Sequence, residues 1–257
     1  MGVLNVTPDS FSDGGRFTDS EQAVAHGLAM VAEGADIIDV GGESTRPGAE
    51  PVDEVEERRR VLDVVASLAG RVAVSIDTRH RSVAEAAVEA GATILNDVSA
   101  SLWPVAAASG VGWVAMHMQG DPRTMQVAPR YDDVVDDVVS FLLDRVDLAR
   151  GAGVAEVWID PGIGFGKTVE HNLSLLGRLA DLVATGVPVL VGASRKGFLG
   201  TLLRGAPAED RLEGSLAVAV WAAMCGVAMV RVHDVAATVR ALRLMGDAAF
   251  VPATVRA

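Results

Sequence analysis

Short apolar runs recur eight times along this chain, and each run stops at a polar or charged side chain. In chain order the stops are Asn5, Asp39, Asp77, Asn96, His117, Asp160, Lys196, and Arg231 together with His233. Short apolar runs bounded by turn residues are typical of buried strands in parallel sheets. Only a closed barrel gathers the carboxyl ends of eight such strands on one face, so the pattern predicts an α/β fold, the (β/α)8 TIM barrel, with its site on that face.

Helix-like segments separate the apolar runs. The first opens on Thr18-Asp19-Ser20-Glu21, which has the form of a capping box, and stops at Gly34. The others span residues 53–68, 82–90, 131–150, 171–185, 210–225 and 234–245, and several end at a glycine. Alternating strands and helices predict βαβ units, and the count of eight favours a closed barrel over an open doubly wound sheet, which periodicity alone leaves possible.

The bulk composition is compatible with a single barrel. The chain has 257 residues, close to the about 250 typical of the fold, and we expect one domain over residues 1–257. A net charge of -12 argues against a general nucleic-acid binder. The one cysteine, Cys225, excludes an internal disulfide framework, is interpreted as a buried structural thiol, and fits a cytoplasmic location.

Targeting and membrane segments are not expected. Residues Met1–Asn5 lack the basic start and apolar core of a signal peptide. The longest apolar run, Leu216–Val230, is too short to span a bilayer, and Gly226 is expected to divide it into a helix end and the eighth strand.

Two polar loops follow the first two strands. The first, residues 5–15, is glycine-ended and could close over a site with Phe11 and Asp13, although an ordinary ordered turn explains its composition equally well. The second, residues 41–48, places the Thr45 hydroxyl and the Arg46 guanidinium on a stiff turn, which suits an anionic or phosphate-bearing ligand. The alternative for Arg46 is an ion pair with Glu43.

Two carboxylates, Asp77 and Asp160, end apolar strands, where desolvation is costly unless each one is paired. A planar heterocycle with a guanidine-like edge would offer adjacent N–H donors to such a carboxylate, and the Asn96 amide could bind the same ring. A structural salt bridge, for instance between Asp77 and Arg79, is the alternative.

The glycine-rich segment Asp160–Thr168 resembles a phosphate-binding P-loop only superficially. Three residues separate Gly162 from Gly166, where the P-loop motif needs four. We therefore expect these glycines to let backbone approach a flat ligand, with Phe165 as a wall.

Lysine is rare in this chain, which has only Lys167 and Lys196 among its 22 lysine and arginine residues. A retained lysine indicates a need for a compact ammonium group, an interpretation favoured for Lys196, whereas chance retention is nearly as good an explanation for Lys167.

The eighth strand carries Arg231 and His233, and the region after strands 7 and 8 of such barrels commonly binds phosphate. With Arg46 and a metal ion at Asn5, these side chains could hold a diphosphate. His171 is expected to start a helix, and His117 to be a satisfied core or rim imidazole. Because the sequence contains neither H-E-x-x-H nor C-x-x-C, a tightly held zinc or iron site is not expected.

The polar segments at the strand ends, taken together, resemble those of dihydropteroate synthase, and they cover nearly the whole chain in that family's order. They are residues 1–15 (MGVLNVTPDSFSDGG), 39–48 (DVGGESTRPG), 75–79 (SIDTR), 96–99 (NDVS), 116–120 (MHMQG), 160–168 (DPGIGFGKT), 194–196 (SRK) and 231–234 (RVHD).

This resemblance implies an enzyme that condenses 6-hydroxymethyl-7,8-dihydropterin diphosphate with p-aminobenzoate, releasing pyrophosphate in the presence of Mg²⁺. The implied pterin site is Asp77, Asn96, Met118, Asp160, Lys196 and Arg231, with Asp13, Asp160, Lys196 and Arg231 as the catalytic set. The diphosphate would meet Asn5, Arg46, Arg231 and His233, with the metal at Asn5. Phe11, Thr45, Arg46, Pro47, Phe165 and Ser194 would line the p-aminobenzoate site.

The resemblance also implies a homodimer, sulfonamides as competitors of p-aminobenzoate, and neither nucleic-acid nor membrane partners. Two rivals stay open, a pterin-binding barrel used in methyl transfer and a non-catalytic paralogue. The Ser194-Arg195-Lys196 motif favours the synthase over the first rival, and retention of Asn5 and His233 favours it over the second. In the family a short lead-in covers the barrel floor, whereas this sequence begins almost on its first strand; we expect that difference to affect stability more than chemistry.

Overall fold

The structure, a computed structural model, contains eight short parallel strands. It describes residues 1–7, 16–43, 52–121 and 124–246, of which residues 16–19 are described by their backbone only. The strands are β1 (Gly2–Asn5), β2 (Ile37–Gly41), β3 (Ala73–Asp77), β4 (Ile94–Asp97), β5 (Gly112–Met116), β6 (Val157–Asp160), β7 (Leu190–Val191) and β8 (Met229–Val230). Each lies on one of the eight apolar runs of the sequence.

The strands form a closed barrel. Strands β1 to β6 pair in sequence order, and β7 pairs with β8. Isolated bridges join the two sheets, Ile159 to Val189 on one side and Gly2 to Val232 on the other. The second junction is reinforced by the bond from Val3 N to the Val232 carbonyl, 2.9 Å long. The predicted (β/α)8 barrel is thus confirmed, and the open doubly wound sheet is excluded.

Helices surround the barrel. They are α1 (Arg16–Ala32), α2 (Glu54–Leu68), α3 (Arg81–Glu89), α4 (Trp103–Ser109), α5 (Val134–Gly151), α6 (Val169–Gly177), α7 (Leu179–Val183), α8 (Gly197–Leu202), α9 (Leu212–Met224) and α10 (Val235–Gly246), with a 3-10 turn at Ala208–Asp210. The seven predicted segments are all helical. Gly226 has a φ of 86° and separates α9 from β8, as the sequence indicated.

Three details differ from the sequence prediction. The segment 171–185 is broken at Arg178, whose side chain pairs with Asp133, Asp136 and Asp181. The left-handed glycine after α5 is Gly153, with a φ of 96°, and not Gly151. Helices α4 and α8 were not predicted, because each is too short to show a full amphipathic repeat.

Side chains inside the barrel change from apolar to polar along four of the strands. The lower layer is an apolar cluster of Met1, Ile94, Val114 and Leu190, with Ile37, Trp158 and Met229 packed against it. Side chains two residues apart on a strand share a face. The residues two positions beyond Ile37, Ile94, Trp158 and Met229 therefore also face inward, and they are Asp39, Asn96, Asp160 and Arg231. The barrel has an apolar floor beneath a polar mouth.

Among the described residues, none of the helices is both long enough and apolar enough to cross a membrane.

Candidate active site at the mouth of the barrel

The parallel register aligns polar residues of neighbouring strands at one level. Asn5 pairs with Gly41, Gly41 with Asp77, and Asp77 with Asn96. Gly41 contributes no side chain to this row, and a Cβ placed on it would lie 3.5 Å from the Asp77 Cβ and 3.8 Å from Asn5 Oδ1. Four consecutive strands thus present an amide, an open space, a carboxylate and a second amide.

Arg231 spans the barrel to two carboxylates. Its Nε donates to Asp39 Oδ2 at 2.5 Å and its Nη2 donates to Asp77 Oδ2 at 2.7 Å. Asn96 Nδ2 donates to the same oxygen of Asp39 at 2.9 Å. The alternative pairing of Asp77 with Arg79 is wrong, because Arg79 bonds both oxygens of Glu43 instead.

Asp39 is the member of this network that sequence reasoning left without a role. It is completely buried, and its Oδ1 has no hydrogen-bond partner among the described residues. The available signal was a charge in the middle of the apolar run 37–40, where desolvation excludes a carboxylate without a cationic partner.

Burial shifts the ionisation of this cluster. It raises the pKa of Asp77 to about 7, while the charge of Arg231 acts in the opposite direction. It also raises the pKa of Asp160, against the effect of Lys196. Burial lowers the pKa of Lys196 to about 8, and the nearby Asp160 opposes that shift. Perturbed ionisable groups of both signs in one concave site are typical of a catalytic centre.

Asp160 and Lys196 flank the loop that follows β6. Asp160 Oδ1 accepts a bond of 2.7 Å from Gly162 N. Lys196 Nζ donates to the Ile163 carbonyl and lies 4.0 Å from the centre of the Phe165 ring. Lys196 was expected to end the seventh strand, but β7 ends at Val191 and Lys196 is the N-cap residue of α8. Gly192, two positions beyond Leu190, leaves space beside Asp160, since a Cβ on this glycine would be 3.8 Å from Asp160 Oδ2.

A second group of polar side chains lies between β1 and the loops after β7 and β8. Ser194 is buried, and its Oγ is 3.1 Å from His233 Nδ1 and 3.2 Å from His233 N. Beside them, Arg195 donates two bonds to Asp234. Asn5, Arg195, His233 and Asp234 help to line a cavity of about 720 Å³ that extends between α1 and α10.

The structure also places the remaining residues singled out from the sequence. Met118 is half-buried, two residues beyond β5. His117 is buried in the core, and His171 caps the start of α6 with Thr168, as expected. Cys225 is half-buried, not fully buried. Phe11, Asp13, Thr45, Arg46 and Pro47 lie outside the described residues, as does the possible pairing of Arg46 with Glu43.

The residues present fit a magnesium ion bound at a diphosphate. Mg²⁺ in phosphate sites usually takes one or two protein oxygens and completes its shell with phosphate and water. The Asn5 amide at the cavity wall is such an oxygen. Within the described part of the chain, one group of His, Cys, Asp and Glu has metal-ligand spacing, namely Glu43, Glu57 and His80. Arg79 already bonds both oxygens of Glu43, so a cation there would meet a guanidinium.

Comparisons with known proteins agree with this geometry. Residues 1–233 match the model of a family described as pterin binding enzyme. A dihydropteroate synthase of Mycobacterium leprae is 51% identical, over 96% of this chain and 92% of its own.

Two solved enzymes have the same fold. The Xanthomonas albilineans dihydropteroate synthase with 4-aminobenzoic acid has a TM-score of 0.91 at 48% identity, and the match covers 98% of this chain and 93% of that enzyme. The same enzyme in complex with 7,8-dihydropteroate has a TM-score of 0.87 at 45% identity, and the match covers 98% of this chain and 94% of the enzyme. The Yersinia pestis enzyme with a sulfonamide drug has 0.90 at 44%, again covering 98% and 94%. The chain therefore belongs to the pterin-binding enzyme family and, within it, to the dihydropteroate synthases, the transferases of folate biosynthesis that join a dihydropterin diphosphate to p-aminobenzoate.

Proposed function

We propose that this chain makes 7,8-dihydropteroate and pyrophosphate by holding the pterin ring of 6-hydroxymethyl-7,8-dihydropterin diphosphate among Asp77, Asn96, Asp160 and Lys196. The observation that carries this assignment is the bond from a guanidinium, that of Arg231, to Asp77 at the mouth of the barrel. The pyrimidine edge of a pterin presents paired N–H donors of a similar kind, and Asp77 already accepts a bond from one such donor, Arg231 Nη2.

In this proposal the pterin edge replaces one of the two bonds that the Arg231 guanidinium donates to carboxylates. The Nη2 bond to Asp77 is given up to the ring, while the Nε bond to Asp39 keeps the guanidinium within the barrel. A guanidinium held from one side can then stack on the face of the ring. Met118, half-buried beside the mouth, completes the pterin pocket.

The diphosphate would lie toward β1 and β8, against Asn5, Arg46, Arg231 and His233. Support comes from the cavity that Asn5 and His233 share, which leaves room for a group larger than the ring. A magnesium ion held by Asn5 would supply neutralisation of the charge that grows on the leaving pyrophosphate. Arg231 would provide the same stabilisation from a fixed position, and Arg46 would add a second positive charge.

The p-aminobenzoate site would lie beside Phe165 and Ser194, completed by Phe11, Thr45, Arg46 and Pro47. Phe165 is half-buried with Lys196 over its ring, and Ser194 is fixed by its contacts with His233. The same site would accept sulfonamides as competitors, a ligand class present in the related Yersinia pestis structure.

The chemistry is expected to be a dissociative substitution. An aniline nitrogen is neutral near pH 7, so no strong base is needed to generate the nucleophile. Departure of pyrophosphate is the difficult step, and it leaves positive charge on the pterin methylene. Asp160 would stabilise that charge, as would Asp13 of the catalytic set.

A cytoplasmic homodimer is part of the proposal. Helix α9 consists mostly of apolar residues, and of these Trp221 is 45% exposed and Met224 is 48% exposed. Leu202 and Leu203 of the preceding segment are exposed as well. Large apolar side chains left exposed in this way are suited to contact with a second copy of the chain.

The decisive measurement is pyrophosphate release from the dihydropterin diphosphate, with and without p-aminobenzoate and Mg²⁺. Release coupled to dihydropteroate, dependent on Mg²⁺ and lost in Lys196→Ala and Asp160→Ala, is expected. Asp147→Ala, at an exposed position of α5, is the matched control and should keep full activity. Pterin binding by calorimetry without turnover in the unaltered chain would instead establish the non-catalytic paralogue.

A further inference from the structure

The loop from Gly162 to Gly166, which carries Phe165, is held by an unusual set of hydrogen bonds. Each of its five carbonyl oxygens accepts a bond from a side chain. The donors are Lys167 to the carbonyls of Gly162 and Phe165, Lys196 to that of Ile163, Gln126 to that of Gly164, and Tyr131 to that of Gly166. The peptide planes of the loop are therefore oriented by Lys167 itself and by three side chains from two other segments, the connection between β5 and α5 and the turn before α8.

Lys167 is the centre of this arrangement. Its side chain is buried, and its Nζ lies 3.0 Å from the Gly162 carbonyl, 3.0 Å from that of Phe165, 3.2 Å from that of His117 and 3.0 Å from His117 Nδ1. An ammonium group has three donors pointing in different directions, whereas a guanidinium donates in one plane. The acceptors surround one nitrogen atom, so lysine suits this position and arginine does not.

The imidazole beside it is suited to accept a bond. Burial and the charge of Lys167 lower the pKa of His117 to about 3, so the ring is neutral and one of its nitrogens is an acceptor. Burial also lowers the pKa of Lys167 to about 7, which Asp160 opposes. Of the two protonation states of this amine, only the ammonium has three donors to offer to the three carbonyl oxygens and the imidazole nitrogen.

The ammonium joins two backbone segments that are in very close contact. A Cβ at Gly162 would lie 1.9 Å from the His117 carbonyl oxygen, and one at Gly166 would lie 2.4 Å from that of Gln119. The loop after β6 is thus pressed against the segment that follows β5. The carbonyl oxygens of Gly162, Phe165 and His117 all lie within 3.2 Å of the Lys167 nitrogen, and carbonyl groups gathered around one point repel each other unless a cation lies between them.

We propose that Lys167 is a positioning residue for the p-aminobenzoate end of the site. It fixes the loop backbone so that the Phe165 ring and the Ile163 carbonyl, the partner of Lys196, keep their places at the barrel mouth. The inference rests on the proposed function, because it concerns where the second substrate binds. In the pterin pocket, Asp77 and Asn96 bond to Arg231 and Asp39 and not to the loop, whereas Asp160 and Lys196 do contact it. Because only part of that pocket touches the loop, we expect the pterin pocket to depend on Lys167 less than the p-aminobenzoate end does.

The test compares Lys167→Met, which keeps length and apolar bulk but removes every donor, with Lys167→Arg, which keeps the charge. Both are expected to raise KM for p-aminobenzoate at least about tenfold, while the Kd of the oxidised ring alone, 6-hydroxymethylpterin, changes by less than about threefold in calorimetry. That split is not expected from a residue that only stabilises the fold. Arg178→Met, on the protein surface, is the control and should change neither constant.

Tyr131→Phe provides a second, milder variant in case the lysine variants fail to fold. It removes only the bond from the Tyr131 hydroxyl to the Gly166 carbonyl, and a several-fold rise in the same KM is expected. Unchanged KM for p-aminobenzoate in all folded variants would overturn the proposal. An equal fold-rise in the KM for p-aminobenzoate and in the Kd of 6-hydroxymethylpterin would also overturn it. An unaltered chain that binds pterin without turnover would refute the proposed function itself, a result distinguishable from either of these.

Discussion

The floor and the mouth of this barrel lie two residues apart on the same strands, yet they obey opposite rules. Ile94 and Leu190 below are buried against other apolar side chains. Asp39 and Asn96 above are just as buried, but Asn96 donates to Asp39, and Asp39 also accepts a bond from Arg231. Apolar burial stabilises the floor directly, whereas each buried charge in the mouth is tolerated only because a specific partner is present. Residues of the floor therefore stabilise the fold, whereas residues of the mouth are kept in position by the fold for binding and catalysis.

Replacing the central cation of the mouth should have the largest effect. Arg231→Met leaves Asp39 and Asp77 without their guanidinium, and removal of one partner from a buried ion pair typically destabilises by about 3–5 kcal/mol. Loss of a fixed charge at the reacting centre should also lower kcat by about 10²–10³. Urea unfolding and steady-state kinetics would measure the two effects. If the variant unfolded at the same urea concentration as the unaltered chain, the network of buried charges would not contribute to stability.

A second arm sharpens this result. Adding Asp39→Asn and Asp77→Asn to Arg231→Met removes the uncompensated charges and should restore much of the stability without restoring activity. Recovery of neither would indicate that shape, and not charge, is what the mouth requires.

The floor should respond in the opposite way. Leu190→Ala creates a cavity in a fully buried position and is expected to reduce the free energy of unfolding by about 2–5 kcal/mol. Because the polar level above is not altered, the Kd of 6-hydroxymethylpterin should stay within about threefold. A large loss of pterin affinity measured by calorimetry would show that floor and mouth are coupled.

This difference also explains what could be predicted from the sequence. Apolar runs and their polar ends are local patterns, so the strands and the residues Asn5, Asp77, Asn96 and Asp160 could be placed at one end of a barrel. Which cation meets which carboxylate could not, because Arg231 and Asp77 are 154 positions apart and the choice over Arg79 depends on the closed barrel. Sequence order alone favours the near neighbour.

Lys167 and Arg178 show the same limit in other elements. For Lys167, chance retention was nearly as good an explanation as a functional need, because its four acceptors are backbone carbonyls and an imidazole, groups that leave no pattern in the sequence. The break between α6 and α7 at Arg178 was missed because two of its three carboxylate partners, Asp133 at the N-cap of α5 and Asp136 within α5, are brought to it only by the folded structure.

A smaller effect is expected from a change at Asp39, the residue to which the sequence assigned no role. Asp39→Asn keeps the shape of the side chain but weakens the charged bond to Arg231 Nε, and such bonds contribute about 1.5–3 kcal/mol. We expect kcat/KM for the dihydropterin diphosphate to fall by about 10- to 100-fold. Ser75→Ala is the matched control, since Ser75 is the register partner of Asp39 and its buried hydroxyl has no partner among the described residues. Equal losses in both variants would assign Asp39 to packing.

The smallest expected effect is a pH dependence that separates function from stability at Lys196. Its pKa is lowered to about 8 by burial, so the ammonium is present below that pH and lost above it. Affinity for 6-hydroxymethylpterin should therefore weaken by about tenfold between pH 7 and pH 9. At each pH the Kd is divided by the Kd of a Lys196→Met variant, because this ratio removes the effect of any ionisation of the ligand. Stability should change in the other direction. The unfolded chain, with an ordinary lysine pKa, binds more protons than the folded chain between about pH 8 and 10.5, so the free energy of unfolding should rise with pH in that window relative to Lys196→Met. Parallel changes in both quantities would mean that the ammonium supports the fold and not the ligand.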